Sequence, residues 1–185
     1  MNNVSVKSYD APPVNEREIL RYAKCSDDAT EMISLMRECL KECEGVLTYN
    51  VCWSVADLKT DSADLARNLA SHNCTRTIIF AATVGLGIDR LIRKYERLSP
   101  TKALFMQAIG AERVEALCDA FEKEITRNAV YHAPRFSPGY GDLPLTLQTD
   151  IARILDMAKH IGITLNDSLL MSPSKSVTAI IGIGD

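Results

Sequence analysis

Thr77-Ile-Ile-Phe-Ala-Ala-Thr-Val-Gly-Leu-Gly-Ile-Asp89 runs from a nearly continuous apolar segment into two glycines one residue apart. Residues 77–82 predict a short strand buried on both faces. The Gly85-Leu86-Gly87 junction then leads into a helix, a layout shared with nucleotide-binding turns. A dinucleotide fingerprint needs a third glycine where Arg90 stands, and a P-loop needs Gly-Lys-Ser/Thr after its glycines. Neither condition is met, so the junction reads as a structural turn.

On the N-terminal side, Asp27-Asp28 opens a helical stretch to about residue 44, with Met32, Leu35, Met36, Leu40 and Cys43 at helical intervals and Gly45 closing it. Residues 46–55 are β-branched and aromatic, which predicts a strand following at once. Residues 62–70 predict another helix. Beyond the glycines, the helix from Ile88 turns Ile88, Leu91, Ile92, Tyr95 and Leu98 inward and Arg90, Arg93, Lys94 and Arg97 outward. Ser99-Pro100 is a cap followed by proline at the first helical position, starting a long helix to about residue 128 that Gly110 kinks or divides. A last helix carries Leu147, Ile151, Ile154, Leu155, Ala158 and Ile161 on one face and stops at Gly162. Strands at 165–171 and 177–183 finish the chain. Helices interspersed with non-alternating strands predict an α+β fold with a mostly antiparallel sheet.

With 185 residues, 46% of them hydrophobic, the chain suffices for a single domain spanning 1–185. A net charge of −3 and the lack of any Lys/Arg block mixed with aromatics argue against nucleic acid as a partner. No apolar run of membrane-spanning length occurs, and the N-terminus has no charged region followed by an apolar stretch, which predicts a cytoplasmic protein. Six cysteines contain no Cys-x-x-Cys pair and read as free, mostly buried thiols. Cys39 and Cys43 share a helical face, yet nothing in the spacing of His72, His132 or His160 completes a metal site. Hydrolase triads, His-Glu-x-x-His and Walker patterns are missing too, so no catalytic residue is assigned.

The chemistry-bearing segment is Arg135-Phe-Ser-Pro-Gly-Tyr-Gly141. Pro138 and Gly139 make it a shaped turn; Arg135 offers a bidentate grip for a carboxylate, and Tyr140 an apolar ring with a polar tip. The competing reading is a surface turn with a solvated arginine.

Arg135-x-x-x-Gly139-Tyr140 resembles the signature of the AdoMet-binding activation domain of cobalamin-dependent methionine synthase. Lys159-His160-x-Gly162-x-x-Leu165-x-x-Ser168-x-x-Met171-x-Pro173-x-x-Ser176-Val177 is similar to that family's next block, in the same register. Residues 84–89 and the helix containing Val114-Glu115-Ala116 resemble its glycine turn and following helix. The resemblance covers residues 75–183; residues 1–74 carry no recognisable motif. It implies a bent antiparallel sheet flanked by helices, and S-adenosylmethionine (AdoMet) held by Arg135, by Glu115 and Tyr140, and by backbone atoms of Ser137 and Gly139. Without the family, Glu115 reads as a surface glutamate paired with Arg113 or Lys123. Phe136, Ser137 and Gly141 stand where the family has Pro, Ala and Pro, its downstream tyrosine falls past Asp185, and its N-terminal ligand aspartate has no clear counterpart among Asp57, Asp61 and Asp64.

The role so implied is that of a stand-alone accessory subunit without a complete active site of its own. It would present AdoMet for reductive methylation of cob(II)alamin, with cobalamin reached only through a partner: the corrinoid-binding modules of a methionine synthase or related methyltransferase. The basic stripe Arg90, Arg93, Lys94, Arg97 is a candidate dock for an acidic, flavodoxin-like reductant. The rival is a corrinoid-protein-binding scaffold that does not bind AdoMet.

Overall fold

The computed structural model describes residues 3–26, 28–56 and 58–184. In chain order the elements are β1 (Ser5–Ser8), α1 (Glu16–Tyr22), α2 (Thr30–Cys43), β2 (Asn50–Val55), α3 (Ala63–Ser71), β3 (Arg76–Thr83), α4 (Leu86–Leu98), α5 (Pro100–Ile125), β4 (Tyr131–Phe136), α6 (Leu147–Leu155), α7 (Met157–Ile161), β5 (Thr164–Leu165), β6 (Met171–Ser172) and β7 (Ser176–Gly184). Five strands form an open antiparallel sheet in the order β1-β2-β3-β7-β4, and β5 and β6 make a separate two-stranded ribbon. The fold is α+β, as the sequence implied.

The apolar run of β3 is central because both its faces are covered. Ile78, Phe80 and Ala82 join Val51, Ala179 and Ile181 against Leu117, Cys118 and Phe121 of α5. The intervening Ile79 and Ala81 join Cys52 and Ile180 against Leu65, Leu147, Ile151 and Leu155 from the opposite layer. Phe121 stacks tilted on both Phe80 and Trp53, with ring centroids 4.8 and 5.3 Å apart. A third cluster, mostly of helices, packs Ile19, Met36, Ile88, Ile92, Phe105 and Ile109 together. The 26 residues of α5 run about 39 Å, enough to serve that cluster with the first half and the sheet with the second.

Several expectations need correction. Helix α2 begins at Thr30; Asp27, read as part of its start, lies outside the described residues. The strand expected over 46–55 begins only at Asn50, because residues 46–49 cross over the start of α4, where Thr48 N donates to Val84 O at 3.1 Å. Gly110 neither divides nor ends α5. The lack of a Cβ there lets the Lys175 side chain and Ile88 pack against the helix, and the helix stops at Ile125 rather than near 128. Leu98, expected inward, is exposed at the last turn of α4.

The last helix is two, broken at Asp156, which adopts a left-handed conformation (φ 44°, ψ 51°). The strand expected over 165–171 is the β5–β6 hairpin. Its loop closes when Asn166 Oδ1 accepts from Ser168 N and Leu170 N, both at 2.9 Å, as Asn side chains do in turns. Strand β1 and helix α1 were missed, being short and lying in the segment without motifs; Asn15 caps α1 by accepting from Glu18 N.

The two glycines at the start of α4 serve packing. Gly85 takes φ +81°, its N–H donating to Thr83 Oγ1 at 3.1 Å, and Asp89 accepts from Ser174 N at 3.0 Å, so this helix start is filled by the chain itself. A Cβ at Gly87 would overlap the backbone oxygen and side chain of Val46. Gly87→Ala is therefore expected to cost about 2 kcal/mol, the usual scale for overpacking against backbone that cannot yield, read as a lower midpoint in urea unfolding.

Candidate ligand-binding site

Strand β4 sets the site through an irregularity. Ala133 pairs with Gly182 and Phe136 with Ile180, so β4 gains a residue over β7 between these pairs. Pro134, which has no N–H to give to a ladder, lies within this bulge. The extra residue reverses the alternation of faces. Phe136 packs into the α3–α6 layer, Ala133 stands opposite Gly182, whose Cβ position faces Leu69 of α3, and Arg135 is turned to the other side, toward α5. In an unbroken strand Arg135 would share the face of Ala133.

On the α5 side, Arg135 meets three carboxylates spaced i, i+4 and i+7 along one helix face. Its Nη2 donates to Glu115 Oε2 at 2.7 Å, and Nη1 to Asp119 Oδ1 at 2.6 Å and Glu122 Oε2 at 2.7 Å. Burial alone would lower the guanidinium pKa, but the bonds it donates to Glu115, Glu122 and Asp119 outweigh that and raise the value, so the cation is fixed. Arg135 is thus not solvated, and Glu115 pairs with it rather than with Arg113 or Lys123. Arg113 is buried elsewhere: it pairs with Glu112 and donates to Pro12 O at 2.5 Å and Pro13 O at 2.8 Å, while Glu112 accepts from Asn15 N at 2.9 Å. This pair clamps the segment before α1 against α5. That segment and the outer face of α5 bound a cleft of 970 Å³ that Arg135, Glu115 and Asp119 line.

The turn itself begins only at Ser137, since Arg135 and Phe136 belong to β4. Gly139 takes φ +87° and donates to Leu143 O at 2.8 Å, and Tyr140 N donates to Ser137 O at 3.1 Å. The Tyr140 ring is 70% exposed and stands edge-on to Phe136, with centroids 5.5 Å apart. It borders a second groove, of 340 Å³, with Asp64, Arg67 and Asn68 of α3. The structure therefore brings Arg135 and Glu115 together in one cleft and places Tyr140 on another, with Ser137 and Gly139 in the turn between them.

This turn is moored to α3. Asp142 accepts from Ala63 N at 2.8 Å, from Asp64 N at 3.2 Å and from the Ser62 hydroxyl, and Asp64 Oδ2 accepts from Asp142 N at 3.2 Å. Of the aspartates weighed for the ligand, Asp64 is committed to this mooring and to Arg67, and Asp57 lies outside the described residues.

Sequence reasoning missed Asp119, Glu122 and the mooring pair. The acidic spacing on α5 was readable as one helix face, but only the tertiary fold says what that face meets. Cys39, Cys43, Cys52 and Cys118 are buried, with Cys39 pushed up to about 11 and Cys43 and Cys52 to about 12 by desolvation. Among the described residues no group of three His, Cys, Asp or Glu is placed to hold a metal ion, and no helix is long and apolar enough to cross a membrane.

A five-stranded antiparallel sheet with its bulged edge strand set against one long helix defines an α+β domain whose candidate ligand residues lie at a sheet edge. The chain belongs to the family of vitamin B12 dependent methionine synthase activation domains, whose model matches residues 59–184. Among solved structures, the MetH reactivation domain bound to AdoHcy shares the fold at a TM-score of 0.69 and 17% identity, over 98% of this chain and 78% of that one. No curated protein matches the chain.

Hydrogen bonds from Ser62, then from the backbone N–H groups of Ala63, Asp64 and Asp142, hold the Asp142 carboxyl below its ordinary 3.8. A depressed carboxylate stabilises the fold above its unfolded pKa, and that contribution is lost as the pH falls through the folded value. Asp142→Asn should therefore lower the melting temperature at pH 7, with the gap to wild type closing below pH 3.8. A gap that is unchanged at low pH would show that the charge does not hold the turn.

Proposed function

We infer that this protein is a reactivation component for a cobalamin-dependent methionine synthase or a related corrinoid methyltransferase, presenting AdoMet to a bound corrinoid. The observation that carries this reading is the convergence of Arg135 and Glu115 on one cleft, inside the stretch matched by the family model. AdoMet bears a carboxylate, an ammonium and a sulfonium. The donor set fits it: a fixed guanidinium for the carboxylate and a surplus of carboxylates for the two cations. AdoMet, when bound, supplies the methyl group, the bonding pair staying on its sulfur.

The chain's own residues do the holding. Arg135 anchors the carboxylate and Glu115 faces the positive end, while Ser137 and Gly139 lie in the adjoining turn and Tyr140 stands on the neighbouring groove. The electron that returns cob(II)alamin to its nucleophilic state comes from a flavodoxin-like reductant. Arg90, Arg93, Lys94 and Arg97 are all exposed on α4 and suit its acidic surface; Lys94 is partly engaged, lying 3.7 Å from Glu42.

One observation favours the scaffold reading: both terminal nitrogens of Arg135 are already held by carboxylates. Titration calorimetry with AdoMet separates the two. Wild type is expected to release heat, and Arg135→Ala to bind roughly tenfold or more weakly, the scale of a lost charge-assisted hydrogen bond. No heat from either protein would sink the donor reading and leave the scaffold.

A further inference from the structure

The carboxylates around Arg135 outnumber it. Glu115, Asp119 and Glu122 bring three negative charges to one positive charge, all within 2.7 Å contacts. Glu115 and Asp119 open with Arg135 on the cleft, whose lining also holds Arg17 and Lys123 as exposed cations, while Glu122 meets Arg135 from outside that lining. Glu16 and Glu18 already pair with Arg37 and Arg21, and Glu112 with Arg113. A negative surplus is thus local to the Arg135 cage, where Asp119 supplies it from the cleft wall and Glu122 from outside the lining.

We propose that Asp119 and Glu122 are specificity-determining residues, which make the cleft select a positively charged sulfonium ligand over its neutral thioether counterpart. The proposal rests on the AdoMet reading above. AdoMet carries a net charge of about +1 at neutral pH and its demethylated product about 0, because loss of the methyl group leaves an uncharged sulfur. Their shapes differ by one methyl group, so size alone gives a pocket little discrimination, whereas uncompensated carboxylates act on the charge itself. Asp119 lines the cleft but is 70% exposed and more screened, whereas Glu122, 17% exposed, acts from outside the lining through a less screened field. The guanidinium between them keeps the cluster from repelling the carboxylate that both ligands share. Such a cage holds the methyl donor and releases the spent product, which presents the same carboxylate but one positive charge fewer.

The test is the ratio of affinities for AdoMet and S-adenosylhomocysteine, measured by calorimetry on wild type, Asp119→Asn, Glu122→Gln and the double variant. Wild type should prefer AdoMet. The preference should fall about threefold for each neutralised carboxylate and about tenfold in the double variant, the size of a Coulomb interaction across several ångströms of wet cleft. Affinity for the neutral thioether should hold or rise, which general damage to the site would not produce. A ratio that stays constant across the series, in proteins that bind both ligands, overturns the selectivity role and leaves the AdoMet reading standing. Wild type that binds neither ligand overturns both. Asp119→Asn, at an exposed position, keeps the comparison available if the double variant does not fold.

Discussion

Burial of α5 along its whole length is the constraint on which the rest depends. Its first half fills the helical cluster through Phe105, Met106 and Ile109, and its second half covers the sheet through Leu117, Cys118 and Phe121. Each of these side chains is almost fully buried, so the helix can neither slide nor rotate without opening cavities, at a cost of about 2–5 kcal/mol for each large side chain lost from contact. A helix fixed about its own axis has a fixed outer face. That face carries Glu115, Asp119 and Glu122, and the geometry of the acidic cage follows from core packing that involves none of them.

The second determinant is the bulge around Pro134. One additional residue in β4 decides whether Arg135 looks toward α3 or toward α5. It also keeps Phe136 in the apolar layer beneath Tyr140, so the two grooves beside the strand are consequences of the same irregularity. The mooring of Asp142 to the start of α3 then limits how far the turn can move away from β4.

Much of the framework was legible because the residues announce it locally. The continuous apolar run of 78–82, the helical stretch after residue 62 and the Ser99-Pro100 helix start are short-range signals, and each matches the structure. Misreadings fall where a long-range contact overrides local preference. Residues 46–49 have strand-forming composition but are drawn across the start of α4, Gly110 looks like a helix breaker but is a packing notch for Lys175, and Asp156 breaks a helix whose apolar periodicity runs straight through it. The candidate site divides in the same way. Arg135, Gly139 and Tyr140 were found through a motif, Glu115 through the resemblance of the helix that carries it, and Asp119 and Glu122 only through what they touch.

The sequence alone determined the α+β class, the structural role of the Gly85-Leu86-Gly87 turn and the family to which residues 59–184 belong, because periodicity, caps and motifs are properties of neighbouring residues. Only the tertiary structure decided that Arg135 faces α5, that three carboxylates meet it, and that Tyr140 borders a different groove. Those facts depend on the register of β4 against β7 and on the rotation of α5, and both are set by side chains distant in sequence competing for one buried volume.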